Sequence, residues 1–501
     1  MNLGKLIAAG TATLAALLTA APATADAGLD RFYHQRLTWK SCGDPRLDPL
    51  GAQCADVTVP LDYAAPEGRT LTVVVSRIPA ADPAQRRGVV LSNPGGPGGA
   101  GLDAMVDVRE AMTDEVRARY DLIGMDPRGV GRSNPVNCRW PRGFALQSAG
   151  VDAASYAESV AQQAELAARC VATEGERIRH ITTRNTARDM DVVRGALGED
   201  RINYFGTSYG TYLGAVYTQM FPRRADRVVL DSSVDPQRYG PVGMVQDMGP
   251  ANEAAFDRWA DWAADRDSEY RFGADRAAVR ATVLDLVRRA NERPIRLGEF
   301  ELDDHSVPMV LFVGLDDPRQ YEQVANQLRQ LLDAAAGAPV APSPELAAVL
   351  AFMLAARPSD NSAQMAIMCG DVSAPRDPAW YWRNIEANRA NQPLFGAFAN
   401  NITPCAFWSA PIESPTVIGN SVPSLIVQAT GDTRTTYPGA LAMHRALTGS
   451  RMVTLQDVPV HSVFGRYPND CVDAAVNTYF RDGTLPAGDL TCQDVPGRAL
   501  R

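Results

Sequence analysis

The period of the apolar positions changes twice along the chain, and those changes divide it. Up to about residue 238, short β-prone runs alternate with helix-period segments. Residues 57–63 and 71–78, separated by A-A-P-E-G, predict an antiparallel pair near one edge of a sheet. Residues 88–93 (G-V-V-L-S-N) and 120–126 (Y-D-L-I-G-M-D) are apolar with little alternation, the pattern of strands buried on both faces. Residues 152–171 and 186–197 predict helices; in the second, Ala187, Met190, Val193, Ala196 and Leu197 fall at helical spacing. A β-prone run at 202–205, a helical segment at 209–220 and the strand R-V-V-L-D-S-S from Arg227 continue the alternation. Strand, helix, strand at this spacing predicts a mostly parallel sheet with helices on both faces.

From residue 239 to 416 the period is helical throughout, with helices expected at 252–266, 276–291, 318–336, 344–357 and 377–391. Alternation then resumes with a strand at 424–430, a helix at 438–447, a strand at 451–457 and a helix at 471–480. No repeat or low-complexity linker separates these parts. The helical stretch therefore reads as a lid inserted into one α/β unit, with 26–238 and 417–501 as the two parts of the core.

Residues 1–25 hold one lysine, an apolar run from 6 to 20, and A-P-A-T-A, in which Ala23 and Ala25 stand as an A-x-A cleavage signal. This predicts a secretory signal peptide cut near Ala25 and a secreted protein. No cysteine sits at the cut and no later apolar run reaches about 18 residues, so neither a lipid anchor nor a membrane span is expected. Export makes the cysteines readable as disulfides. Cys42, Cys54, Cys138, Cys170, Cys369, Cys405, Cys471 and Cys492 fall into four close pairs, and nearest-neighbour bridging is expected. No C-x-x-C pair and no H-E-x-x-H occurs, so no metal site or other cofactor is expected. The net charge of -9 argues against nucleic acid as a partner, and the near absence of lysine, found only at positions 5 and 40, reflects composition bias. Oligomeric state is not legible.

The richest chemistry lies at 206–210, G-T-S-Y-G, between the β-prone run and the helical segment. G-x-S-x-G in that setting is a nucleophile elbow: a strained turn that projects Ser208 beyond the sheet. A serine hydroxyl needs a base within reach, and the base needs a carboxylate to fix its tautomer. On this kind of sheet the order is Ser, then Asp or Glu, then His. Asp432 follows the strand at 424–430, and His461 follows the next strand, so both are expected at the carboxyl edge where Ser208 emerges. Of the five histidines, His34 lies in the lead-in, His180 before the elbow, His305 in the lid and His444 on an amphipathic helix. Asp457 and Asp470 are the rival carboxylates. The oxyanion hole is expected from the N–H of Tyr209 and that of Gly96, in the loop N-P-G-G-P-G-G-A-G at 93–101. The same loop contains a G-x-G-x-x-G from Gly96 to Gly101, with Asp121 further on, so a dinucleotide-binding dehydrogenase competes. Pro94 and Pro97 weaken that reading by removing N–H groups a pyrophosphate would need.

Taken together, V-P-L-D-Y-A-A-P-E-G (59–68), the glycine loop (93–101), D-P-R-G-V-G-R-S (126–133), G-T-S-Y-G-T-Y-L-G-A-V-Y (206–217) and the G-D-T-R-T-T-Y-P-G-A segment resemble the secreted actinobacterial tripeptidyl aminopeptidases. That family has the α/β-hydrolase fold and is related to prolyl aminopeptidases. The resemblance implies a serine exopeptidase that releases short peptides from free N-termini, with Ser208, Asp432 and His461 as triad and peptides as substrates. The chain departs from the family at Ser232, Thr436 and Val460, where relatives commonly carry Gly, Pro and Gly. Asp371, in A-I-M-C-G-D beside an expected disulfide, is the candidate for holding the substrate ammonium; an ordinary loop or helix-end acid is the alternative. Trp380, Tyr381, Trp382 and Trp408 either wall the peptide channel or pack as core. A secreted carboxylesterase with the same triad is the runner-up, and a catalytically silent hydrolase-fold binding protein a third reading.

Overall fold

The computed structural model describes residues 28–355 and 361–494; the expected signal peptide lies outside them. The strands in chain order are β1 (Lys40–Ser41), β2 (Gln53–Pro60), β3 (Thr70–Ile78), β4 (Gly88–Asn93), β5 (Tyr120–Met125), β6 (Ile202–Thr207), β7 (Ala225–Asp231), β8 (Ile295–Leu297), β9 (Phe300–Leu302), β10 (Ser424–Ala429), β11 (Ser450–Gln456) and β12 (Leu490–Gln493). Ten of them form one sheet in the order β1-β2-β3-β5-β4-β6-β7-β10-β11-β12, and β8 pairs with β9 as a separate hairpin. Pairing is antiparallel from β1 to β3 and between β3 and β5, then parallel across the rest.

The near-continuous apolar runs of the central strands feed two cores at once, because successive residues point to opposite faces. Val89 and Leu91, Tyr204 and Ile426 join one core, whereas Val90, Phe205, Leu425 and Val427 join the other. The first core is roofed by the elbow helix Tyr209–Met220 and runs on into the helical insertion; the second is closed by helices Met105–Ala111 and Asp470–Asp482. All of these strand residues are at most 2% exposed, so truncating one, as in Ile426→Ala, leaves a cavity costing about 2–5 kcal/mol.

Between β7 and β10 the chain makes helices Gly243–Ala264, Arg276–Glu292, Val307–Gly314, Tyr321–Ala335, Pro344–Leu354, Ser362–Asp371 and Pro378–Asn388. The fold is thus an α/β hydrolase: a mostly parallel sheet with helices on both faces and an inserted helical lid. Gly243–Ala264 begins well before residue 252 because Pro250, which reads as a break, lies inside the helix. All eight cysteines pair with their nearest neighbours, Cys42–Cys54, Cys138–Cys170, Cys369–Cys405 and Cys471–Cys492. Among the described residues no helix is long and apolar enough to cross a membrane.

Candidate active site

Because β4, β6, β7, β10 and β11 run parallel, the loops that follow them gather at one rim. At the end of β6, Ser208 takes φ 58° and ψ -125°, a strained conformation that turns the chain sharply into the elbow helix. Neighbouring backbones enforce the turn. A Cβ on Gly210 would stand 2.4 Å from the Asn93 carbonyl, and one on Gly95 would stand 2.8 Å from Ser208 Cβ. The Ser208 N–H donates to the Asp231 carbonyl at 3.0 Å, and its own carbonyl accepts from the Thr211 N–H at 2.9 Å. Among the described residues the Ser208 hydroxyl has no hydrogen-bond partner, which leaves it available to a base.

Asp432 and His461 meet on the same rim. His461 Nδ1 lies 3.0 and 2.9 Å from the two Asp432 carboxylate oxygens. Asp432 is buried and also accepts from the N–H groups of Arg434 and Thr435 at 2.8 and 3.0 Å and from the Thr435 hydroxyl at 2.8 Å. Burial raises the carboxyl pKa, but the imidazole beside it and these donors more than offset that, and the group stays below the usual carboxylate range. The rivals are placed elsewhere: Asp457 receives Gln456 Nε2 at the end of β11, and Asp470 opens the last helix. Among the described residues the His461 ring bonds only through Nδ1, which leaves Nε2 as the side to face a nucleophile; no hydrogen bond joins it to Ser208 in this structure.

One residue ties the two halves together. The Asp231 carbonyl holds the Ser208 N–H, while its carboxylate accepts from Val463 and Phe464 N–H groups at 3.0 and 2.8 Å, two and three residues after His461. Burial pushes its pKa up to about 6 against those bonds. Ser232, where a glycine was expected from the family pattern, adopts φ 61°, and its hydroxyl accepts the Ser462 N–H at 2.8 Å. The polar side chain thus supports the histidine loop from a conformation that glycine adopts freely. In the sequence Ser232 stands out only as a departure from the family pattern, because the bonds of Asp231 and Ser232 to the histidine loop join segments more than 200 residues apart.

In the glycine loop, the Gly95 N–H is taken by Asn93 Oδ1 at 3.0 Å, whereas the Gly96 N–H finds no acceptor among the described residues. Tyr209 is the first residue of the elbow helix, so its N–H has no partner within the helix. D-P-R-G-V-G-R-S is scaffolding for this loop: Asp126 accepts from Gly101 and Arg132 N–H groups at 2.8 and 2.7 Å, and buried Arg128 forks onto Asp189 at 2.7 and 2.6 Å. The G-x-G-x-x-G is therefore occupied with packing. A second Ser-His-Asp grouping, Ser450, His444 and Asp489, is excluded as an active site. Ser450 is 1% exposed and donates to the Leu447 carbonyl at 2.7 Å, closing the end of helix Tyr437–Ala446.

Asp371 lies at the end of helix Ser362–Asp371, buried, and takes the Thr183 N–H at 2.8 Å, the Thr183 hydroxyl, and the Tyr239 hydroxyl at 2.9 Å. Thr183 Oγ1 in turn lies 2.6 Å from the Tyr209 hydroxyl. None of these donors is a cation, and burial pushes the carboxyl up to about 6. Asp371, Thr183, Tyr212, Arg184 and Glu413 help to line a cavity of about 640 Å³, whose walls include none of Ser208, Asp432 and His461. Tyr381 and Trp408 are core, Tyr381 packing with Tyr156 and Ile385; Trp380 and Trp382 are partly buried against the same cluster, Trp382 stacked on Tyr156 at 5.3 Å.

A family model described as TAP-like protein matches residues 392–492, the part that carries Asp432 and His461. Along nearly the whole chain there is similarity to a tripeptidyl aminopeptidase of Streptomyces lividans, 36% identical over 94% of this chain and 88% of that protein. Serine protease Hip1 of Mycobacterium tuberculosis is 30% identical over 91% of each chain. A protein of the same organism named carboxylesterase B is 32% identical over 91% of this chain and 89% of its own.

Proposed function

We propose, from the premise that the chain belongs to the tripeptidyl aminopeptidase family of α/β-hydrolase serine peptidases, that it removes short peptides, tripeptides foremost, from free N-termini. The observation that carries the residue assignment is the Asp432–His461 pair, 2.9–3.0 Å apart, on the rim where the strained Ser208 turn emerges. Ser208 Oγ attacks the scissile carbonyl carbon while its proton passes to His461 Nε2, and Asp432 holds the Nδ1–H and the imidazolium that forms. Gly96 and Tyr209 N–H groups receive the oxyanion; one such donor contributes about 3 kcal/mol to the transition state. Collapse breaks the C–N bond as His461 protonates the departing amine, leaving the N-terminal fragment esterified to Ser208. Water, deprotonated by His461, then releases that fragment with a new carboxylate.

Asp371 is the proposed acceptor of the substrate ammonium. Support comes from a buried carboxylate, without a cationic hydrogen-bond partner among the described residues, at the edge of a cavity; an ammonium would relieve it of its unfavourable charge. Four disulfides fit an oxidising compartment, and the cleavage site near Ala25 supplies the proposed route there.

The test is a panel of aminoacyl to tetrapeptidyl chromogenic amides, free and N-blocked, beside p-nitrophenyl esters, with the wild type and Ser208→Ala. Cleavage of free tripeptidyl amides that is lost on N-blocking, and abolished with fluorophosphonate labelling in Ser208→Ala, is the expected result. Ester-only turnover favours the carboxylesterase reading. Turnover retained by Ser208→Ala rejects the nucleophile.

A further inference from the structure

We infer that the lid positions His461, and that Asp316 is the positioning residue through which it does so; the inference rests on the catalytic reading of Ser208, Asp432 and His461. Helix Val307–Gly314 of the insertion ends in the turn that carries Leu315, Asp316 and Asp317. The His461 backbone N–H donates to the Asp316 carbonyl at 3.1 Å, so the insertion holds the base by its main chain. On the other side of the same residue, Arg466 Nη1 donates to the His461 carbonyl at 2.8 Å, and Arg466 Nη2 stands 3.5 Å from Asp316 Oδ1.

The acid is clamped to the same turn. Arg434, whose N–H donates to Asp432 Oδ1, sends its guanidinium to the Phe312 carbonyl, lies 3.5 Å over the Phe312 ring, and places Nε 3.8 Å from Asp316 Oδ2. The Asp316 carboxylate therefore sits between two guanidiniums, one from the loop of the proposed acid and one from the loop of the proposed base. The Arg434 side chain is 13% exposed in this arrangement, and desolvation pushes its pKa down against the pull of Asp316 and Asp432. The Asp316 contacts are ionic and not hydrogen bonds: its Oδ1 and Arg434 Nη1 have no hydrogen-bond partner among the described residues. An amide of the same shape would remove the charge between Arg434 and Arg466, which repel each other, and leave Arg466 only Asp317 Oδ2 at 4.0 Å as an ionic partner among the described residues. The Arg466 grip on His461 would then be free to slip, and small misplacements of a base are expensive in rate.

Asp316→Asn tests this. Its kcat on a tripeptidyl amide is expected to fall about 10- to 100-fold with KM within about twofold, since the substrate-holding groups are untouched. Fluorophosphonate labelling of Ser208, which needs the base but not a peptide, should slow by a similar factor, and Asp316→Glu should recover much of the loss. A lid acid with a merely structural role would move the melting temperature or KM and leave labelling at the wild-type rate; that result overturns the inference. If Asp316→Asn does not fold, Arg466→Gln, on a partly exposed side chain, makes the same measurement: slowed labelling supports the coupling and unchanged labelling rejects it. The asparagine and glutamine changes combined should cost no more than the worse of the two, because they break one device. Ser208→Ala run in parallel separates the two failures. Labelling that survives in Ser208→Ala sinks the catalytic reading, whereas labelling lost there but unaffected in Asp316→Asn sinks only the role of Asp316.

Discussion

The proposed nucleophile and the proposed acid–base pair stand on the same rim of one sheet, yet different physics holds them there. Ser208 is fixed by backbone contact: strand and helix approach so closely at Gly210 and Gly95 that no side chain fits, and the turn has no other course. Asp432 and His461 are fixed by polar bonds whose partners come from elsewhere, including Asn252 Nδ2 on the Thr433 carbonyl at 3.0 Å, Arg434 on Phe312, and Asp316 on His461. Steric positioning is local and does not depend on the lid. Polar positioning is distributed, drawn partly from β7 through Asp231 and Ser232 and partly from the lid.

That contrast can be broken by substitution. Asp432→Asn should give the largest effect among variants that keep Ser208: about a 10⁴-fold loss of kcat, as the imidazole loses its orienting carboxylate, with a melting temperature close to wild type. A cooperative collapse of the fold instead would mean that the acid is structural. Gly210→Ala comes next. A methyl 2.4 Å from the Asn93 carbonyl must push β4 and the elbow apart, so stability should drop by about 1–3 kcal/mol and rate should fall with it, seen as parallel shifts in a melt and in kcat. If rate fell without any shift in the melt, the steric account of the elbow would fail.

The smallest effect asks whether the elbow side has any charge-borne element. Asp371, linked through Thr183 to the Tyr209 hydroxyl, titrates near 6 in the fold against about 3.9 unfolded. A raised carboxyl pKa gives stability that is fully present below the unfolded value and is lost as pH rises through about 6. The amide of Asp371→Asn does not titrate, so its melting temperature relative to wild type should improve by a few degrees from pH 5 to pH 7. In the same variant, a rise in KM confined to substrates with a free N-terminus supports the ammonium role. An equal loss of kcat on esters would instead assign Asp371 to support of Tyr209.

The same division explains what the sequence made legible. The elbow is local, and the five consecutive positions G-T-S-Y-G announce it. Chain order and elimination among few histidines point to Asp432 and His461 as candidates but say nothing of their supports. Asp231 and Asp316 cannot be read in that way, since each acts on a segment distant in the chain, and nothing in the pattern marks Thr435, three residues from Asp432, as its donor. Helix Val307–Gly314 carries no sequence signal because V-P-M-V-L-F-V-G is apolar on every side and has no period, and β1 and β12 carry none because they are short edge strands made by pairing. Ser362–Asp371 packs around the Cys369–Cys405 bridge and over the glycine loop, with Gln364 Nε2 3.5 Å from the Gly96 carbonyl, a placement no local pattern signals.

The cystine pattern carries a further implication. Two bridges lie ahead of the insertion, one within it and one beyond it, and none ties the serine-bearing part of the sheet to the part that bears aspartate and histidine. A single proteolytic nick in the insertion ahead of Cys369 would leave two polypeptides, each stapled internally, joined at the sheet only by the β7–β10 seam and its packing. The rim would then be held together by non-covalent association alone, as in a split enzyme.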